Sequence, residues 1–246
     1  MIIKSLKLKD YRNYEILNIE LDHATNIFYG DNAQGKTNIL EALYVCATSR
    51  SHKGSKDREM IRMGSDEAHI KLNVKKNGLP YRIDMHLKKN KSKGIAVNGI
   101  PIKRAVELFG ILNIVCFSPE DLSIIKNGPA ERRRFMDMEL SQLDKIYLSN
   151  LINYNKVVNQ RNKLLKELSF KSSEEKLETL DIWDLQLVKY GTEVMKRRVG
   201  FVQELNEIIG GLHEKLSGGT EKLTIEYQPC VEETAFLEDT AREKSL

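Results

Sequence analysis

A glycine-bounded loop near the start of the chain constrains what can be built around it. Gly30 to Thr37 read GDNAQGKT, which fits G-x-x-x-x-G-K-[ST], the phosphate-binding loop. Gly30 and Gly35 permit backbone angles that turn successive amides inward, so the N–H groups of Asn32, Ala33, Gln34, Gly35, Lys36 and Thr37 can surround a phosphate chain, with Asp31 at its mouth. A helix opening near Gly35 adds its positive end. Lys36 can reach the β and γ phosphates, and the Thr37 hydroxyl can hold a magnesium ion. An accidental lysine between a strand and a helix is the plainer explanation, but the flanks count against it. Ile27, Phe28 and Tyr29 predict a buried strand before the loop, and Ile39, Leu40, Leu43, Tyr44 and Ala47 predict an apolar helical face after it.

The 246 residues allow one large or two modest domains, and a composition of 41% hydrophobic and 30% charged residues is that of a globular chain. A net charge of +4 neither demands nor excludes a nucleic-acid partner, so local clustering must decide. Cys46, Cys116 and Cys230 stand apart with no C-x-x-C spacing, which predicts reduced core cysteines and argues against a zinc site. No signal peptide and no apolar run of about 20 residues is present, so the expected location is the cytoplasm, away from membranes.

In order along the chain, Ile2 to Leu8 and Ile16 to Leu21 alternate as strands around a polar, aromatic turn containing Arg12. After the helix that follows the loop, residues 48–58 are polar and basic, with Arg50, Lys53 and Lys56. Ala68 to Val74, Tyr81 to Leu87 and Gly94 to Val97 read as an antiparallel sheet whose turns carry Asn77-Gly78 and Asn98-Gly99, strong hairpin signals. Two of its turns, including Lys88 to Lys93, are lysine-rich and could track a phosphate backbone. Ile111 to Phe117 predicts a buried strand, and Ser118 to Leu122 a helix start with Ser as cap. Pro129 opens a helix bearing Arg132, Arg133 and Arg134; one of the three is expected to be structural, because consecutive residues cover most of a turn. From there to about Leu216, apolar residues three or four apart predict two long helices in an antiparallel hairpin, broken near Ser169 to Ser173. Leu223 to Tyr227 reads as a strand, and Val231 onward as an incomplete helix. The division expected is residues 1–125, the lobe with the loop, and residues 126–246, mainly helical.

Hydrolysis also needs an acid at the end of an apolar strand to hold magnesium. No apolar run followed by Asp-Glu occurs; Glu120 and Asp121 come nearest, but capping explains them more simply. Leu216-Ser217-Gly218-Gly219-Thr220 approaches the LSGGQ signature of ATP-binding-cassette proteins, yet the helix and acid-tipped strand that should follow are absent, so a glycine turn closing a helix fits better.

Together, GDNAQGKTN with its Asp10 to Tyr14 approach, Ser51-His52-Lys53, VNGIP at Val97 to Pro101, FSPEDL at Phe117 to Leu122 and GPAERRRFMD at Gly128 to Asp137 resemble the RecF family over essentially the whole length. The resemblance implies an α/β P-loop head of the ABC/SMC type, with a mixed sheet, an antiparallel β-subdomain and an inserted α-helical hairpin. It implies ATP and Mg2+ as ligands and an ATP-dependent homodimer acting at single-strand/double-strand DNA junctions with RecO and RecR in replication-linked repair and the SOS response. In that arrangement Arg12 and Asn32 are further phosphate contacts. The chain departs from the family by ending before the true signature and the magnesium-binding acids, so it reads as an N-terminal portion with doubtful hydrolysis. DNA contacts are expected among Arg50, Lys53, Lys56 and Arg132 to Arg134. Two rival readings remain: a stand-alone P-loop kinase using Glu120 or Asp121, and a non-enzymatic coiled-coil scaffold.

Overall fold

The computed structural model describes residues 1–170 and 174–229. The chain divides into two compact units, Met1–Arg132 and Arg133–Leu246. In the first, strands β1 (Ile2–Tyr11), β2 (Tyr14–Glu20), β3 (Glu67–Lys76), β4 (Leu79–Lys88), β5 (Gly94–Val97) and β6 (Ile100–Pro101) form one sheet in the order β2-β1-β3-β4-β5-β6, antiparallel throughout. Alternation sends Leu6 and Leu8, Ile70, Leu72 and Val74, and Ile83, Met85 and Leu87 to one face, where burial is nearly complete. Helix α1 (Lys36–Thr48) covers that face with Ile39, Ala42, Leu43, Val45 and Cys46. Asn77-Gly78 and Asn98-Gly99 both take positive φ at both residues, the turn geometry that their sequence predicts. Cys46 is reduced and buried, and burial pushes its thiol well above the ordinary value.

In this first unit two expected strands do not form. Residues 27–29 and 111–117 run without ladder partners, and Ile27, Tyr29, Val115 and Phe117 are 79, 91, 88 and 86% exposed. An apolar run becomes a buried strand only when a neighbouring strand pairs with it, and none of the described residues does so. Residues 119–122 form a short 3-10 turn leading into α2 (Ser123–Lys126). There the Asp121 carboxylate accepts the Ser118 amide at 2.6 Å, so the acid closes this turn.

The sequence also predicts that one helix continues from Leu140 to Leu165, but α3 (Pro129–Leu143) stops and α4 (Lys145–Phe170) starts anew. Asp144 causes the break: its Oδ1 accepts the amides of Ile146 and Tyr147 at 2.8 and 3.0 Å, a helix N-cap. Helix α5 (Glu174–Ser217) packs against α4 in the hairpin. In the second unit Leu140, Tyr147, Val194 and Phe201 form a core, and Arg198 donates to Asp137 at 2.7 Å and to Tyr147 Oη at 3.2 Å, linking α3, α4 and α5. At the near-signature, Gly218 and Gly219 take φ of 64° and 78°, and the Gly219 amide donates to the Glu214 carbonyl, so the glycines terminate α5. Residues 223–227 are not a strand: Ile225 exchanges both backbone hydrogen bonds with the side-chain amide of Asn206, at 2.8 and 2.7 Å. The helix expected from Val231 onward lies outside the described residues.

Candidate nucleotide-binding site

The loop takes the geometry that its glycines allow. Gly30 and Gly35 have φ of 136° and 100°, and Ala33 also enters the left-handed region at 66°. Gly35 stands at the N-cap of α1, where no side chain caps the helix and the first turn has no acid. Among the described residues, the amides of Gly35, Lys36 and Thr37 donate to no protein acceptor; they carry the positive end of a 13-residue helix toward the loop. Lys36 folds along the loop and donates from Nζ to the carbonyls of Gly30 and Asp31 at 2.7 and 2.5 Å. Asp31, Asn32, Ala33, Gln34 and Thr37 are exposed, and Lys36 is half-buried.

The β1–β2 turn supports this loop. Asn13 Nδ2 and Tyr14 Oη donate to the Gln34 carbonyl at 3.1 and 3.4 Å. A Cβ on residue 35 would lie 2.6 Å from Asn13 Oδ1 and 2.8 Å from Tyr14 Oη, so any other residue needs those side-chain ends to shift and must also adopt a φ of 100° that favours glycine. Asn38 Nδ2 donates to Asn13 Oδ1 at 2.9 Å, and Lys53 Nζ to Asn38 Oδ1 at 3.4 Å, which brings one residue of the basic loop beside the helix start. Arg12, Asn13, Asn38 and Lys53 line a polar hollow of about 450 Å³.

Arg12 is held by an acid. Its Nε and Nη2 grip both Glu41 oxygens at 2.7 and 2.6 Å, while Nη1 donates to the Glu59 carbonyl and Nη2 also to Ser55. Glu41 is completely buried and accepts the Ser51 hydroxyl as well, at 2.5 Å. Burial pushes its carboxyl up, but hydrogen bonds from Arg12 and Ser51 outweigh this and leave it below the ordinary range. Sequence reasoning passed over Glu41, Asn13 and Ser51; the one available signal was an acid interrupting the apolar face Leu40-Glu41-Ala42-Leu43.

Arg50, Lys53, Lys56 and Arg132 to Arg134 are all exposed. Arg132 nonetheless donates to the carbonyls of Ile124 and Asn127 at the end of α2, a structural role for one of the three arginines. Lys93 differs from the rest of its lysine-rich turn: it is mostly covered and bonds the Ser49 carbonyl and Asp57, so it fastens a loop.

An uncapped helix start, a glycine cradle and a lysine beside them, set on an α/β head, define a P-loop ATPase domain. A family model described as an AAA domain matches residues 5–209. The "DNA replication and repair protein RecF" of Lachnospira eligens is 65% identical over 100% of this chain and 68% of its own length, and that of Agathobacter rectalis is 60% identical over 100% and 67%. A solved structure described as "the recombination mediator protein RecF-ATP in RecFOR pathway" superposes with a TM-score of 0.88 at 32% identity, covering 99% of this chain and 66% of that one. The chain therefore belongs to the RecF family of DNA replication and repair proteins, and it spans about two thirds of the length of these relatives.

Proposed function

We propose that this chain binds ATP in the Gly30–Thr37 loop and that the bound nucleotide gates its engagement with DNA in recombinational and replication-gap repair. One observation carries the reading: the uncapped start of α1, propped through Gly35 by Asn13 and Tyr14 and flanked by Lys36. Unpaired amides at a helix N-terminus are suited to phosphate, and Lys36 would exchange its two carbonyl partners for phosphate oxygens. Thr37 would hold Mg2+, whose positive charge offsets the phosphates. Arg12 would meet phosphate only by sharing donors now committed to Glu41. The relatives are named for DNA replication and repair and for the RecFOR pathway, which supports DNA as the partner. Single-strand/double-strand junctions, RecO and RecR, an ATP-dependent homodimer, the cytoplasm and the SOS response belong to this proposal on the family resemblance alone.

The test is titration of the chain and of Lys36→Ala with a fluorescent ATP analogue and Mg2+, followed by junction-DNA binding with and without ATP. Loss of about 2–3 kcal/mol of nucleotide affinity is expected, on the scale of charge-assisted hydrogen bonds, together with loss of the ATP-dependent gain in DNA affinity. Unchanged nucleotide binding in Lys36→Ala overturns the site; ATP-insensitive DNA binding overturns the gating. Turnover independent of DNA and abolished by Asp121→Ala would instead identify a kinase.

A further inference from the structure

On the sheet face turned away from the core, two of the chain's five histidines stand opposite each other. His69 of β3 pairs directly with His86 of β4, and their flanking residues Ala68, Ile70, Met85 and Leu87 all point inward. The rings stack with centroids 4.1 Å apart and planes 24° from parallel. Glu67, two residues before His69 and so on the same face, brings Oε2 to 2.6 Å from His86 Nε2. One donor atom from each of Glu67, His69 and His86 falls within 4.8 Å of the others. Across the next strand pair His86 faces Gly94, whose missing side chain leaves that flank open, while Lys9 of β1 stands opposite His69.

We propose that Glu67, His69 and His86 form a binding site for a first-row transition cation, Zn2+ foremost, separate from the magnesium position at Thr37. Two imidazoles and one carboxylate are a nitrogen-rich donor set of the kind zinc takes, with a further coordination position left for water or for a group from a bound molecule. Ligand atoms around tetrahedral zinc are about 3.3 Å apart at bonds near 2.0–2.1 Å, so the three groups need only a modest turn of exposed side chains to close on an ion. The strands fix the spacing, because directly opposed residues of an antiparallel pair keep their Cβ atoms about 5 Å apart. The missing C-x-x-C pattern excludes only thiolate zinc sites; a pair of histidines 17 positions apart gives no motif to read.

Calorimetric titration of the chelator-treated chain with ZnCl2, in the presence of excess Mg2+, is expected to show one equivalent bound. His69→Ala and His86→Ala should each weaken it at least tenfold, the scale seen even for losses in a metal's outer shell, with nucleotide binding unchanged. Zn2+ should also shield His69 and His86, but not His23, from diethylpyrocarbonate in the unmutated chain, which keeps the proposal testable if a variant misfolds. Absence of binding by the chain, equal affinity in the double variant, or modification of both histidines at full rate under saturating Zn2+ each overturns it. Because nucleotide binding is read separately, failure here leaves the P-loop assignment standing.

Discussion

At Glu41 a single carboxylate joins three parts of the molecule: the β1–β2 turn through Arg12, helix α1 on which it stands, and the following loop through Ser51. Its burial is tolerable because every bond it accepts comes from a cation or a hydroxyl aimed at it. Replacing it by Gln leaves the mostly covered Arg12 guanidinium without a counter-charge, so Glu41→Gln is expected to cost about 2–3 kcal/mol in urea unfolding at neutral pH. The pH dependence follows from the sign of the shift. A carboxyl lowered in the native state stabilises above its unfolded value of about 4.3 and loses that contribution as pH falls through the lower native value. The gap between wild type and Glu41→Gln should therefore narrow on acidification. A gap that stays constant to pH 3 would mean that Glu41 acts by shape alone.

At the scale of elements, boundaries follow local chemistry wherever a backbone group needs a nearby partner. Asp144 ends one helix and caps the next, and it also lies 3.4 Å from Arg197 on α5. Asp144→Ala is expected to lower stability by about 1–2 kcal/mol, the range for a lost N-cap, with helix content by circular dichroism little changed below the unfolding transition. A destabilisation below a few tenths would show that the amides of Ile146 and Tyr147 find water equally well. The expected helix ran through this point because Leu140, Leu143, Tyr147 and Leu151 keep an apolar spacing across the break, and periodicity cannot register a cap inside a continuous stripe. Asn206 shows the converse, since its side-chain amide supplies residue 225 with the partners that a neighbouring strand would. Alternation from Leu223 to Tyr227 predicts a strand; none forms there, and the partner that residue 225 finds is a side chain that periodicity cannot foresee.

Across the whole molecule, a net charge of +4 is too small to bind DNA by itself, so any DNA contact depends on where the exposed cations gather. Lys53 is exposed and lies beside the start of the helix that follows the phosphate loop. If it meets a DNA phosphate, Lys53→Ala should weaken binding evenly across sequences and reduce the slope of log affinity against log salt by about one. An unchanged slope would remove it from the DNA surface and leave it a support for Asn38. The described helices include none long and apolar enough to cross a membrane.

The phosphate loop, the two Asn-Gly hairpins, the inward stripes of β1, β3 and β4 and the glycine stop after Ser217 were all legible in the sequence. Each depends on groups within a few positions of one another, where sterics and backbone hydrogen bonding act whatever the rest of the chain does. Only the tertiary structure decided that Arg12 faces Glu41, that Asn13 and Tyr14 close on residue 35, that His69 lies on His86, and that residues 27–29 and 111–117 join no β-ladder. Those outcomes turn on which distant group arrives to desolvate, neutralise or hydrogen-bond a side chain. Spacing along the chain carries no record of that arrival, because the energy belongs to the pair and neither residue holds it alone.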